Sequence, residues 1–209
     1  MLFVICVSAS SGAFDFTISS GYHGTQMLEG QESLLMTGGG VLQIVGFDSS
    51  YVEIRGTAPL QDYVGGIPVI GLNHNSTMDY YGGETGGLYM YGNATANLQG
   101  GRINYISSYQ DVFNVIVGRD EQGNPIFNKH IEMIVREWAY NSQTKVLSGV
   151  WNVDNNNDSL FDTFAIQLHN QTGYDPVIDN ITFTIIPEPS TLCIIAAGAW
   201  LLGRRFDRG

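Results

Sequence analysis

Glycines recur at a fixed interval through the first half of this 209-residue chain, and that interval constrains the fold more than any other feature. Gly38, Gly56, Gly82, Gly100 and Gly118 are separated by 18, 26, 18 and 18 residues, so one repeat carries an eight-residue insertion, placed in the stretch around Ala58 to Gly66. Two positions before these glycines stand Met36, Ile54, Tyr80, Leu98 and Ile116, all apolar. Four before stand Leu34, Val52, Met78 and Ala96, and the pattern then breaks at Asn114. Seven before come Gln31, Ser49, Asn75, Asn93 and Asp111, small or amide turn formers, and twelve before the last four come Ile44, Ile70, Leu88 and Ile106. Each copy therefore reads as strand, polar turn, strand, glycine turn, with alternation at period two inside the strands.

A unit of this length cannot bury its own apolar face, whereas stacking like units makes one continuous core. The predicted fold is all-β, a short parallel β-solenoid of about 18-residue coils over residues 27–118, with 14–26 as a lead-in strand. Polar residues at the same turn position in successive coils can then stack as ladders. An antiparallel sandwich with hairpins of similar length would show the same spacing, and strand direction separates the two.

After Asp120 the glycine repeat stops and longer strands appear at His130 to Trp138, Lys145 to Val153, Leu160 to Leu168 and Ile181 to Ile186. The breaks between them are turn-rich: Asp120 to Pro125, Asn141 to Gln143, Asp154 to Asp158 and Asn170 to Pro176. Residues 119–186 are expected to form a small antiparallel β domain capping the open solenoid end.

Charge narrows the partners. The chain carries a net charge of -11. Without Glu188, Asp207, Arg204, Arg205 and Arg208 of the C-terminal segment, 6 basic and 18 acidic residues remain. That excess argues against nucleic acid and anionic lipid, and favours solubility or bridging by divalent cations. Cys6 and Cys193 lie in the two terminal segments, so the body between them has neither disulfide nor thiolate chemistry.

The strongest local candidate for chemistry runs from Asp154 to Asp162. Asp154, Asn156, Asp158 and Asp162 occupy loop positions 1, 3, 5 and 9 of a calcium loop, where a hard cation wants clustered oxygens. Ser159 replaces the turn glycine and Ala165 stands where a bidentate Glu would complete the shell, so a plain polar turn accounts for the same residues. No other cofactor is indicated. His23, His74, His130 and His169 have no metal-ligand spacing and read as surface residues. Gly38-Gly39-Gly40 leads into the strand-like Val41 to Val45, so it cannot present a helix N-terminus to phosphate. With no nucleophile motif and no phosphate loop, the chain reads as non-enzymatic. The enzymatic alternative, a β-helix polysaccharide lyase or hydrolase, would draw on Asp48, Glu53, Asp79 and Glu84, with Arg55 and Arg102 as the only coil cations. A carbohydrate-binding alternative would use Tyr80, Tyr81, Tyr89, Tyr91 and Trp138, residues that β packing accounts for equally well.

The C-terminus supplies the most specific motif. Pro187-Glu188-Pro189-Ser190-Thr191-Leu192 opens an apolar stretch to Leu202, which ends in Arg204, Arg205 and Arg208. The prolines fix φ and remove two backbone donors, keeping the segment extended. The apolar stretch is shorter than the roughly 20 residues of a free-standing spanning helix, and the arginines would hold its end in the cytoplasm. This segment, 187–209, resembles the bacterial PEP-CTERM sorting signal. The resemblance implies a hydrophobic sorting helix, recognition by exosortase, cleavage near Pro187 to Pro189, and a membrane association made only through this tail. Residues 1–13 read as a signal peptide, truncated in that no Lys or Arg precedes the apolar Met1 to Val7. The expected protein is exported to the cell surface or exopolysaccharide matrix, where it has a structural or adhesive role, with exosortase and surface glycans as partners.

Overall fold

The computed structural model describes residues 13–60, 65–109, 131–153, 162–169 and 177–186. Over these residues the protein is all-β, built on one large, mostly parallel sheet, and contains no α-helix. Two parallel ladders make up most of it. The first stacks β1 (Phe16–Ile18), β3 (Ser33–Met36), β5 (Tyr51–Ile54), β7 (Thr77–Tyr80), β9 (Thr95–Leu98) and β11 (Ile131–Asn141). The second stacks β2 (Tyr22–Leu28), β4 (Gly40–Gly46), β6 (Ile67–Leu72), β8 (Glu84–Tyr91), β10 (Arg102–Tyr109) and β13 (Thr163–His169).

The register follows the glycine interval. Leu34 pairs with Val52, 18 residues on, Val52 with Met78 at 26, and Met78 with Ala96 at 18. Met36, Ile54, Tyr80 and Leu98 lie in parallel register, the arrangement the sequence predicts, and the strand expected near Ile116 lies outside the described residues. The additional eight residues fall between Ile54 of β5 and Ile67 of β6, because both ladders step by 26 there.

Like side chains stack inward along each ladder. Met36, Ile54, Tyr80, Leu98 and Met133 form one fully buried column, and Ile44, Ile70, Leu88, Ile106 and Leu168 form its counterpart opposite. Thr85 sits among apolar neighbours, and its hydroxyl is satisfied by donating to the Ile67 carbonyl at 2.7 Å. Each such buried side chain contributes about 1.5–3 kcal/mol, against an ordering cost of about 1–2 kcal/mol per residue. One repeat therefore cannot hold itself; its neighbours above and below complete it.

The corners repeat as well. Gly30, Asp48, His74 and Gly92 all adopt left-handed backbone, with φ of 61°, 55°, 56° and 63°. Each lies inside a tight turn closed by one backbone bond, as in Ser50 N–H to Phe47 O at 3.0 Å and Ser76 N–H to Asn73 O at 3.1 Å. Glycine, aspartate and histidine are residue types that tolerate this region. The expected polar ladder is present: Asn93 donates to Asn75 Oδ1 at 3.3 Å.

Two organisational expectations differ from the structure. The ladders begin at Phe16, inside the segment read as a lead-in strand, and β1 and β2 already pair in register with β3 and β4. The repeat was hidden there because Ser20 holds the glycine phase and Gln26 stands where Ile44, Ile70 and Leu88 stand later. The strands of 131–185 also do not make a separate antiparallel cap. β11 and β13 each extend a ladder in parallel, β14 (Ile181–Ile185) pairs in parallel with β11, and β12 (Val146–Trp151) is the antiparallel strand joining the two ladders. Backbone groups at the end of each ladder are satisfied by continuing the sheet, which ordinary alternation in the sequence could not distinguish from a cap.

Candidate functional site

The outward face of the first ladder carries the coil carboxylates. Leu35, Glu53, Asp79, Asn97 and Glu132 follow one another in register. At its centre the Tyr51 hydroxyl donates to Asp79 Oδ2 at 2.6 Å and lies 3.2 Å from Glu53 Oε2, so one phenol ties two rungs together. Asn97 donates to the other oxygen of Asp79 at 2.7 Å, and the Arg55 guanidinium pairs with Glu53, which is only 8% exposed. The Tyr51 phenol is pushed well above its ordinary range, by burial first and then by its hydrogen bond to Asp79 and the charges of Asp79 and Glu53. It is a fixed donor at neutral pH. The arrangement holds two carboxylates close together, each already occupied by donors from its own scaffold.

The remaining carboxylates of the enzymatic alternative lie elsewhere. Asp48 sits at a corner facing His74, with Nδ1 and Oδ1 3.2 Å apart. Glu84 accepts from the Leu60 backbone at 2.8 Å and lies 3.8 Å from Arg102. The structure thus brings Glu53 and Asp79 together and leaves Asp48, at a turn, and Glu84, at the start of β8 on the second ladder, apart from them.

The outward face of the second ladder is aromatic. Tyr105 lies over Gly87, where a Cβ would collide with its ring. Its ring meets Tyr89 edge-on, centroids 5.5 Å apart, with the two hydroxyls at 2.9 Å, and stacks on His169 at 4.9 Å and 8°. Of the rings proposed from sequence, Tyr80 is fully buried and its phenol is raised by burial and by the Glu84 charge, so it is a core residue. Trp138 stacks on Phe183 at 4.0 Å and 10°, covering the end of the core, and remains 40% exposed. Tyr81 is likewise part exposed.

Asp154, Asn156 and Asp158 lie outside the described residues, as does the entire sorting segment with Pro187, Glu188, Pro189, Ser190, Thr191, Leu192, Arg204 and Arg205. Asp162 is described. Its backbone closes the β12–β13 connection, with Asp162 N–H to Val153 O at 3.2 Å and Trp151 N–H to Asp162 O at 2.8 Å. Among the described residues no group of three His, Cys, Asp or Glu side chains is placed to hold a metal ion. No helix of the described residues is long and apolar enough to cross a membrane.

Comparison with protein-family models, curated proteins and solved structures finds no match.

Tyr51, Asn97, Tyr105 and His169 were not singled out by sequence reasoning as a group. Asn97 was within reach, being 18 residues after Asp79, and Glu53 is 26 before it. His169 was not, because its rung depends on how the chain returns after residue 109.

Proposed function

We propose that the protein is an exported component of the bacterial cell surface or exopolysaccharide matrix, structural or adhesive in role, whose body is a β-solenoid and whose residues 187–209 are a sorting signal removed by exosortase. The observation that carries this reading is the ordered motif Pro187-Glu188-Pro189-Ser190-Thr191-Leu192, apolar stretch, Arg204-Arg205. Its extended dipeptides suit a protease groove, its apolar length suits a transient membrane segment, and its terminal arginines set the orientation that leaves the body outside.

The repeat architecture supports the role. Stacked rungs about 4.8 Å apart give a stiff body whose outward side chains are presented in rows, a geometry suited to extended surfaces and polymers. The acidic surface keeps such a body soluble and away from anionic lipid once the tail is gone. Carboxylates on the coils act in this reading as scaffold and surface charge, without turnover.

Intact mass of the protein recovered from cells and from medium tests the proposal. The mature chain is expected to end near Pro187 to Pro189, and the double change Pro187→Ala with Pro189→Ala to leave an uncut, membrane-retained precursor. Surface-located protein that still contains Trp200 and Arg205 would overturn it.

A further inference from the structure

β14 changes character along its length. Ile181, Phe183 and Ile185 pair with the buried Ile131, Met133 and Val135 and share their inward side, yet Ile181 is buried, Phe183 is part buried and Ile185 is 56% exposed. On the outward side Thr182 and Thr184 give way to Ile186, 40% exposed. The end of the strand is therefore apolar on both faces, whereas a strand meeting water alternates apolar with polar. Residues 181–186 carry no charge, although the chain's net charge is -11. Asp179 precedes the strand at the end far from Ile185, and Glu132 lies on the outward side, where it accepts from the Thr184 hydroxyl at 2.7 Å.

β11 supplies the rest of this surface. The bulge between Val135 and Glu137 shifts the alternation by one residue, so Trp138, paired with Gly149, joins Val135 and Tyr140 on the core side. There it stacks on Phe183 at 4.0 Å and remains 40% exposed. A core-side indole left this open marks the place where the core meets its surroundings, and exposed apolar patches of this kind are contact surfaces.

The chain that follows says what is contacted. Ile186 is followed directly by Pro187, and Leu192, where the apolar stretch to Leu202 begins, lies six residues beyond Ile186. Six residues span at most about 20 Å. A bilayer that takes up residues 192–202 therefore holds the patch within that distance of its surface. A second copy is the less suited occupant, because like copies of so acidic a chain repel one another.

We propose that Trp138, Phe183, Ile185 and Ile186 rest in the interface of the bilayer that receives residues 192–202, a contact of the body itself added to that of the tail. An indole suits the headgroup level, with an apolar body and a polar N–H. The uncharged strand end enters without stripping water from an ion. Pro187 to Pro189, where cleavage is expected, are then held at the membrane surface between two apolar contacts. The inference rests on the reading of residues 187–209 as a segment that enters the membrane.

The test is flotation of the full chain with phosphatidylcholine vesicles, combined with quenching of tryptophan emission by brominated phosphatidylcholine. Trp200 lies in the tail and Trp151 is fully buried in the body. The parent should float and its Trp200 should be quenched. Trp200→Phe should still be quenched through Trp138, and adding Trp138→Phe should remove that quenching. Ile185→Ser with Ile186→Ser in the Trp200→Phe background should float equally and lose most of the Trp138 quenching, with a matching melting curve showing that it folds. Flotation of Trp200→Phe with Trp138 unquenched would overturn this inference alone, and a dimer in solution would then give the patch to a second copy. Undiminished quenching in the folded serine pair would also overturn it, since the tether alone would then bring Trp138 to the lipid. A parent that does not float, with Trp200 unquenched, would overturn the reading of the tail and this inference with it.

Discussion

The indole of Trp151 donates its Nε1–H to the backbone carbonyl of Gly101 at 2.9 Å, across 50 residues of sequence. Gly101 belongs to the turn between β9 and β10, and Trp151 ends β12, so this bond joins the glycine-repeat part to the strands that follow it. Trp151 is fully buried, with the Phe164 ring tilted against it at 4.4 Å. Trp151→Phe should cost about 0.5–1.5 kcal/mol by removing the donor to a partly buried carbonyl, and Trp151→Ala about 3–5 kcal/mol through the cavity. Urea unfolding of the two variants would measure both, and a Trp151→Phe change within error of zero would show that the bond adds nothing.

Gly101 itself is a second test. Its φ is +77°, and a Cβ there would lie 2.7 Å from the Gly83 carbonyl, so Gly101→Ala combines backbone strain with a steric clash. A loss of roughly 1–3 kcal/mol is expected. Gly24→Ala, where nothing lies within 4 Å and φ is not left-handed, should be close to neutral. Equal effects of the two changes would contradict the close-packed corner.

The Tyr51 clamp predicts an alkaline response. Its phenol titrates above the ordinary value of 10.0 in the folded protein, so the folded state holds the proton more tightly than the unfolded chain does. The stability this provides is complete below pH 10 and is lost progressively as pH rises beyond it. Tyr51→Phe should flatten that part of the stability curve, though Tyr80, raised by burial, keeps part of the slope. At neutral pH the same change should cost about 0.5–1.5 kcal/mol, because Asp79 and Glu53 lose a donor. Denaturant midpoints collected from pH 7 to 11 would check both; an unchanged alkaline slope in Tyr51→Phe would remove the clamp from the account.

If Asp154, Asn156, Asp158 and Asp162 bind calcium, the metal should raise the melting temperature of the parent. The double change Asp154→Ala with Asp158→Ala should abolish that rise. Scanning calorimetry with calcium and with chelator decides it, and calcium-independent melting of the parent returns the segment to a polar turn.

The non-enzymatic reading is checked at Glu53 and Asp79, which share the Tyr51 hydroxyl. Incubation with polysaccharides should release neither new reducing ends nor unsaturated sugars, and Asp79→Asn should change nothing in that assay. Product formation that disappears on removal of Asp79 or Glu53 would overturn the reading, since those are the carboxylates that one phenol holds together.

The 18-residue interval, the inward columns from Leu34 to Ala96 and the site of the insertion before Ile67 were legible in the sequence, because each depends on residues that recur at a fixed spacing. Parallel rungs turn such spacing directly into register, so Asn75 meets Asn93 and Asp79 meets Asn97 with no further information. Fold class and the first ladder's polar face are thus properties of local pattern. The paths of β11, β12 and β13 are not. Alternating apolar residues fit a hairpin and a ladder rung equally well, and only the competition among distant edges places Leu168 beside Ile106 and Ile131 beside Ala96. The stack of Tyr105 on His169 and the Trp151–Gly101 bond arise from that non-local pairing, which is why tertiary structure alone decided them, whereas the burial of Tyr80 follows from its place between Ile54 and Leu98 in the repeat's own column.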